Sequence, residues 1–364
     1  MQKTTTKLAD GRELIYFDAD GTVADRNYSD LRPLEPTTAL SEIRRDPVTG
    51  DHVTVAAHRQ GRTYHPPADE CPLCPSRDGR LSEVPAPDYQ VAVFENRFPS
   101  LALAAADHVA ADPAPFHRTA PGAGRCEVVC FTSQHDLSFA GLTEQQAGLV
   151  LDAWTDRTAA LSALPGIEQV YCFENRGVEI GVTLAHPHGQ VYAFPFTTPR
   201  TTKAVAAATA HRAATGRNLF DDLIADQLAH PERVVLTGEH WTAFVPFAAR
   251  WPYEVHLYPN RRTPDLTGLN EAERAEFPGI YLELLRRFDR LFDSSAPTPY
   301  ISAWHQAPAG HRDELALHLE LFTIRRTVGK LKFLAGTESG MDAFMNDVSP
   351  EQAAHRLREV ATHG

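Results

Sequence analysis

No stretch of the sequence approaches 18 consecutive apolar residues, so no membrane-spanning helix is expected. Basic residues are in deficit: 35 Lys and Arg stand against 47 Asp and Glu, a formal charge of −12. That balance excludes general affinity for nucleic acid or for an anionic membrane, but not a local arginine cluster around an anionic ligand. Cysteine is scarce and odd in number, five in 364 residues. This argues against a disulfide scaffold and for a reducing cytoplasm. The opening residues, Met1-Gln2-Lys3-Thr4-Thr5-Thr6, carry no apolar signal core, in keeping with a cytoplasmic setting. What the chain does have is 43% apolar residues, ample for a core, over a length that suits one large or two medium domains.

The densest chemistry lies in His186-Pro187-His188-Gly189-Gln190. The run that follows, Val191-Tyr192-Ala193-Phe194, reads as a β-strand. If that strand begins near His188, its two-residue period sends His188 and Gln190 to one face. Pro187 then stands where a strand tolerates proline, and Gly189 leaves room on the opposite face. One face would present a nucleophile beside a hydrogen-bond donor. A neutral imidazole attacks phosphorus or carbon, and a neighbouring amide stabilises charge on the attacked group's oxygens. An isolated His-x-His is also compatible with a pair of metal ligands or with a polar turn.

The whole pentapeptide resembles the active-site motif of the galactose-1-phosphate uridylyltransferase family, a branch of the histidine-triad superfamily. The flanks agree, with Phe173-Glu174-Asn175-Arg176-Gly177 upstream and a strand downstream. Other stretches similar to the family are Asp46-Pro47-Val48-Thr49-Gly50 with His58-Arg59, the tract around Glu239-His240-Trp241 and Trp251-Pro252-Tyr253-Glu254, and Lys332-Phe333-Leu334-Ala335-Gly336-Thr337-Glu338. The resemblance spans residues 43 to 361 and implies an α+β fold of two fused histidine-triad-like halves. They would share a mainly antiparallel sheet flanked by helices. The divisions expected are an extension with a hairpin at 1–40, a first half at 41–200 and a degenerate second half at 201–364.

The resemblance also implies a reaction. Neutral His188 would attack the α-phosphorus of UDP-glucose and release glucose 1-phosphate. Galactose 1-phosphate would then take the uridylyl group from the imidazole. Gln190 would hold a non-bridging oxygen. Arg59 and Arg62 would approach phosphates, for which planar guanidinium groups are suited. Asn96 and Asn175, in identical Phe-Glu-Asn-Arg tetrapeptides, would contact the uridylyl and phosphate groups. Gly177 and Gly181 would let backbone N–H groups face phosphate oxygens, and Thr183 would supply a hydroxyl. Lys332 and Glu338 match a loop that reaches the sugar, in some members from the partner subunit of a homodimer. Rival chemistries on the same scaffold are transfer from an ADP-sugar, phosphorolysis of a dinucleoside polyphosphate and hydrolysis of a nucleotide conjugate. A non-catalytic, zinc-stabilised binding module is a further rival.

Cys71-Pro72-Leu73-Cys74 alone fits a redox motif or half a zinc site. The resemblance implies a structural zinc held by Cys71, Cys74, His135 and His186, a closed tetrahedral donor set. Cys126, Cys130 and Cys172 lie in apolar runs and are expected to be buried. Some family members bind a second metal, iron or zinc, through one Glu and three His. In the alternating stretch Glu314 to Phe322 this chain offers His318 and Glu320, with His305 nearby; a polar strand face with hydrogen-bonded histidines is the other reading.

Elsewhere the patterns are local. Asp18-Ala19-Asp20-Gly21-Thr22 has the spacing of the haloacid-dehalogenase phosphatase nucleophile. It is read instead as a hairpin turn, since no helix-rich phosphatase domain follows. Helices are predicted from Leu142 to Leu164, from Leu219 to Ala229 and over a long pattern ending near Phe292, with Thr143 and Gln146 as a capping box. Residues 197–217 read as helix or linker. Strands are predicted over Ile167 to Phe173, 233–237, 241–247 and 253–258. Ser349-Pro350 opens a last helix.

Overall fold

Short alternating runs dominate the chain, and they pair into one large sheet. The structure, a computed structural model, describes all residues except 37–40, 62–65, 78, 108–113, 295 and 362–364. The strands are β1 (Gln2–Lys7), β2 (Glu13–Asp18), β3 (Glu42–Arg45), β4 (His52–Val55), β5 (Val91–Glu95), β6 (Thr119–Pro121), β7 (Arg125–Cys130), β8 (Gln169–Arg176), β9 (His188–Phe194), β10 (Val234–Thr237), β11 (Trp241–Phe244), β12 (Val255–Pro259), β13 (Tyr300–His305), β14 (His318–Phe322), β15 (Arg325–Thr327) and β16 (Lys330–Leu331). The helices are α1 (Glu144–Ser162), α2 (Pro199–Thr215), α3 (Leu219–Ala229), α4 (Glu271–Asp289), α5 (Gly336–Met341) and α6 (Pro350–Glu359).

Among the described residues, eleven strands form the main sheet in the order β1-β2-β5-β7-β9-β8-β13-β14-β12-β11-β10, antiparallel throughout. Strands β8 and β13 meet at its middle, with Phe173 opposite Ala303. Outward from that junction run β9, β7 and β5 on one side and β14, β12 and β11 on the other. The register repeats as well. Gln190 of β9 lies opposite Phe173, and Glu320 of β14 lies opposite Ala303. His188 and His318 each precede these residues by two. The expected α+β fold of two fused halves on one antiparallel sheet is therefore present.

One face of the sheet is dry. Val129, Val191, Leu319, Leu321 and Trp304 point from its strands into a core shared with Leu149, Trp154, Tyr281 and Leu285 of α1 and α4. Thr143 caps α1 by accepting from the Gln146 backbone N–H at 3.2 Å. The Gln146 side chain does not close the capping box. It donates to the carbonyls of Gln90 and Phe131, tying the helix to the sheet. Asn270 and Glu273 form a complete capping box on α4. Residues 197–217 contain a helix, α2, rather than a linker. Strand β11 ends at Phe244, short of the expected 247; Pro246, with no N–H to give to a ladder, follows closely.

The N-terminal hairpin exists, but its turn is not at Asp18–Thr22. The turn is Asp10-Gly11, between β1 and β2, with Gly11 at φ +85°. Residues Ala19–Thr22 form a separate turn after β2, closed by a 3.1 Å bond from the Thr22 N–H to the Ala19 carbonyl. Asp18 is buried in an ion pair with Arg26 at 2.5 Å, so the carboxylate at the phosphatase nucleophile's position is already engaged.

Glu174, beside the central junction, carries a cost. One carboxyl oxygen accepts from the Tyr300 hydroxyl at 3.0 Å and the other has no partner among the described residues. Burial pushes its pKa from the ordinary 4.5 up to about 7, against the opposing pull of Arg176. A carboxyl raised in the folded state favours folding while protonated. Its contribution is lost as pH rises through that window, about 3 kcal/mol in all. Glu174→Gln is therefore expected to raise the melting temperature at about pH 8 and change it little at about pH 5. Melting curves across pH check this.

Candidate active site

Strand β9 begins at His188, and its pleat sorts the motif. Gly189, Val191 and Ala193 are buried on the core side, while His188, Gln190 and Tyr192 line a cavity on the other face. The His188 Nδ1 donates to the His186 carbonyl at 2.7 Å. A carbonyl only accepts, so the proton is on Nδ1 and the Nε2 lone pair is left for chemistry. Burial holds the imidazole below its ordinary pKa of 6.5, so it is neutral at pH 7.

Gly189 is required by packing. A Cβ there would lie 2.8 Å from Phe131 Cζ and 2.8 Å from the Phe173 carbonyl oxygen. Both neighbours are fixed, one by the core and one by the β8–β9 ladder. Gly189→Ala is expected to cost about 1–3 kcal/mol and to shift His188 and Gln190 together. Melting temperature and kcat should fall in parallel, with KM changing less.

The cavity holds about 470 Å³. Of the residues expected at the site, Arg59, Asn96, Asn175, Gly181 and Thr183 line it with His188 and Gln190. Asn96 follows β5 and Asn175 is the last residue but one of β8, so the two tetrapeptides converge on one cavity. Gly181 has φ +82°, a conformation open to glycine, and closes a single helical turn that starts at Gly177. The Arg59 guanidinium bonds the Ser100 hydroxyl and lies 3.5 Å from the Tyr192 hydroxyl. Arg62 lies outside the described residues. Lys332 and Glu338 do not line the cavity; they pair with each other at 2.5 Å, and Lys332 is buried. Arg32 and Arg97 also line the cavity, as does an aromatic wall of Phe94, Phe98, Phe173 and Tyr192, and the sequence motifs point to none of these as site residues. Arg32 is committed to Asp30 and Glu83. Arg97 stands next to Asn96 in the repeated tetrapeptide, and that adjacency was the available signal.

Directly behind His188 lies the cysteine knuckle. The ligand atoms of Cys71, Cys74, His135 and His186 lie within 4.8 Å of one another. Cys74 Sγ is 3.3 Å from His135 Nδ1 and 3.4 Å from His186 Nδ1. His186 Nε2 donates to the Thr132 carbonyl at 2.7 Å and lies 2.8 Å from the Tyr89 hydroxyl. These bonds place the proton on Nε2 and turn the Nδ1 lone pair to the sulfur cluster, the orientation a metal-ligating histidine needs. Two sulfurs and two imidazole nitrogens fit a closed, four-coordinate metal site. Cys126, Cys130 and Cys172 are buried and free.

In the second half, His318 and Glu320 come together with His256, their ligand atoms again within 4.8 Å. His305 sits on the other oxygen of Glu320, at 3.3 Å. His256 was not singled out in the sequence; strand β12 brings it there, opposite Glu320 in the register.

Comparison with known proteins accords with this geometry. The galactose-1-phosphate uridyl transferase N-terminal domain profile matches residues 24–198, and the C-terminal domain profile of the same family matches 204–364. A galactose-1-phosphate uridylyltransferase of Streptomyces lividans is 57% identical over 372 residues, covering 99% of this chain and 98% of its own length. One from Thermotoga maritima is 36% identical, covering 88% and 99%. A solved uridylyltransferase structure superposes with a TM-score of 0.77 at 31% identity, covering 88% of this chain and 98% of that one. The chain belongs to the galactose-1-phosphate uridylyltransferase family.

Proposed function

We propose that this chain moves a uridylyl group from UDP-glucose to galactose 1-phosphate by double displacement on His188. The observation that carries the mechanism is the 2.7 Å bond from His188 Nδ1 to the His186 carbonyl, which fixes the tautomer and presents Nε2 to the cavity. Nε2 attacks the α-phosphorus, the bond to the bridging oxygen breaks, and glucose 1-phosphate leaves with its electron pair. Galactose 1-phosphate then attacks the same phosphorus and the histidine leaves. A sugar phosphate needs no proton to depart, so positioning and charge neutralisation suffice. Gln190 would hold a non-bridging oxygen, Asn96 and Asn175 would contact the uridylyl and phosphate groups, and Gly181 and Thr183 would hold phosphate oxygens; all of them line the cavity with His188. Arg59 and Arg62 complete the proposed phosphate contacts.

Zinc is the metal that best suits the Cys71, Cys74, His135 and His186 donors, and its part would be structural. We read the divisions as 1–40, 41–200 and 201–364, and the assembly as a homodimer in the cytoplasm. Free cysteines support a reducing setting. Lys332 and Glu338, absent from the walls of their own cavity, would then serve the sugar of the partner's site. The rival donors are separated by isotope exchange. With UDP-glucose and labelled glucose 1-phosphate alone, label is expected to enter UDP-glucose without any galactose 1-phosphate. Exchange only with an ADP-sugar would move the specificity, and no exchange with any donor would refute double displacement.

A further inference from the structure

The second cavity, of about 400 Å³, is the register counterpart of the first. His318 copies His188: its Nδ1 donates to the carbonyl of Ala316, two residues back, at 3.0 Å. Glu320 stands where Gln190 does. Exchanging an amide for a carboxylate reverses the preference of the site, because an anionic oxygen repels a phosphate and attracts a cation. His256 and His305 face the same carboxylate at 3.5 and 3.3 Å. By distance alone, His256, His318 and Glu320 could take a divalent ion.

Two further side chains argue otherwise. Arg200, in the first turn of α2, sets its guanidinium 2.6 Å from Glu320 Oε1. That same oxygen is the one approached by His256 and by His318, at 3.5 and 3.4 Å. A metal bound through it would sit against the positive charge of Arg200. A cation is also disfavoured near a helix N-terminus, so the attraction of Glu320 is what accounts for the placement of Arg200. The second side chain is Glu254, whose Oε1 lies 2.9 Å from His256 Nε2. A carboxylate only accepts, so that nitrogen carries a proton and His256 stays out of metal ligation, which leaves His305, His318 and Glu320 as the donors that Arg200 blocks.

We propose that Arg200 takes the place of a metal ion in the second half. The His305, His318 and Glu320 cluster is closed by a guanidinium, and the chain holds one metal ion, at Cys71, Cys74, His135 and His186. Withdrawing the guanidinium should then open a metal site that the wild-type chain lacks.

The test is elemental analysis of the full chain after loading with excess Zn²⁺ and desalting. The wild type is expected to hold one zinc per chain, and His318→Ala the same. Arg200→Ala is expected to hold a second, which Arg200→Ala combined with His318→Ala loses again. A second zinc in the wild type that His318→Ala removes would overturn the proposal. So would an Arg200→Ala protein that melts like the wild type yet gains nothing. Should Arg200→Ala not fold, Arg200→Met keeps the apolar stem and answers the same question. The comparison of wild type with His318→Ala stands in either case. None of these readouts depends on activity.

Discussion

Replacing His188 with alanine is expected to lower the rate of uridylyl transfer by at least about 10⁴-fold while leaving the melting temperature near that of the wild type. The size follows from the role. Without Nε2 there is no atom to carry the uridylyl group between donor and acceptor, and positioning by Gln190 and the asparagines cannot replace a covalent step. The mildness toward the fold follows from the setting. His188 opens onto the cavity, and its one hydrogen bond among the described residues is to the His186 carbonyl. Steady-state kinetics beside a melting curve separate the two effects. A loss of activity matched by an equal loss of stability would mean that the imidazole supports structure instead.

The second large effect is expected at the cysteine knuckle. Cys74→Ser should destabilise the chain by at least about 3 kcal/mol, because ligation of a structural metal contributes directly to folding. Activity should fall with it. The ring of His186 is a ligand candidate, and its backbone carbonyl sets the tautomer of His188. A loosened His186 therefore loosens the nucleophile. Chelator should lower the melting temperature of the wild type toward that of Cys74→Ser and move the variant little. If chelator leaves the wild type unchanged and Cys74→Ser melts normally, the cluster is not a metal site. The two variants thus give different signatures: His188→Ala loses activity alone, and Cys74→Ser loses both.

The legible parts of this site are those that one strand carries. The period of β9 announced which of His188, Gly189 and Gln190 share a face, and the C-x-x-C spacing announced a knuckle. The same holds for α1, whose cap at Thr143 is local. What strand pairing brings together was harder to read. His256 reaches Glu320 only because β12 lies beside β14, 64 residues on in sequence. Arg200 closes the second cluster from a helix that read as helix or linker. The hairpin turn lies one Asp-Gly earlier than the sequence pattern predicts, because Asp10-Gly11 and Asp20-Gly21 carry the same local signal and only the pairing of β1 with β2 decides between them. Lys332 and Glu338 followed the family resemblance, and the structure shows their mutual ion pair rather than a place in this cavity.

The central claim is a covalent bond between His188 and a uridylyl group, and intact mass after incubation with UDP-glucose alone tests it most directly. The wild type is predicted to gain the mass of one UMP residue per chain, on the peptide carrying His188, and to lose it when galactose 1-phosphate is added. His188→Ala is predicted to gain nothing. An adduct of equal yield on His188→Ala, or an active wild type that never carries one, would contradict the account.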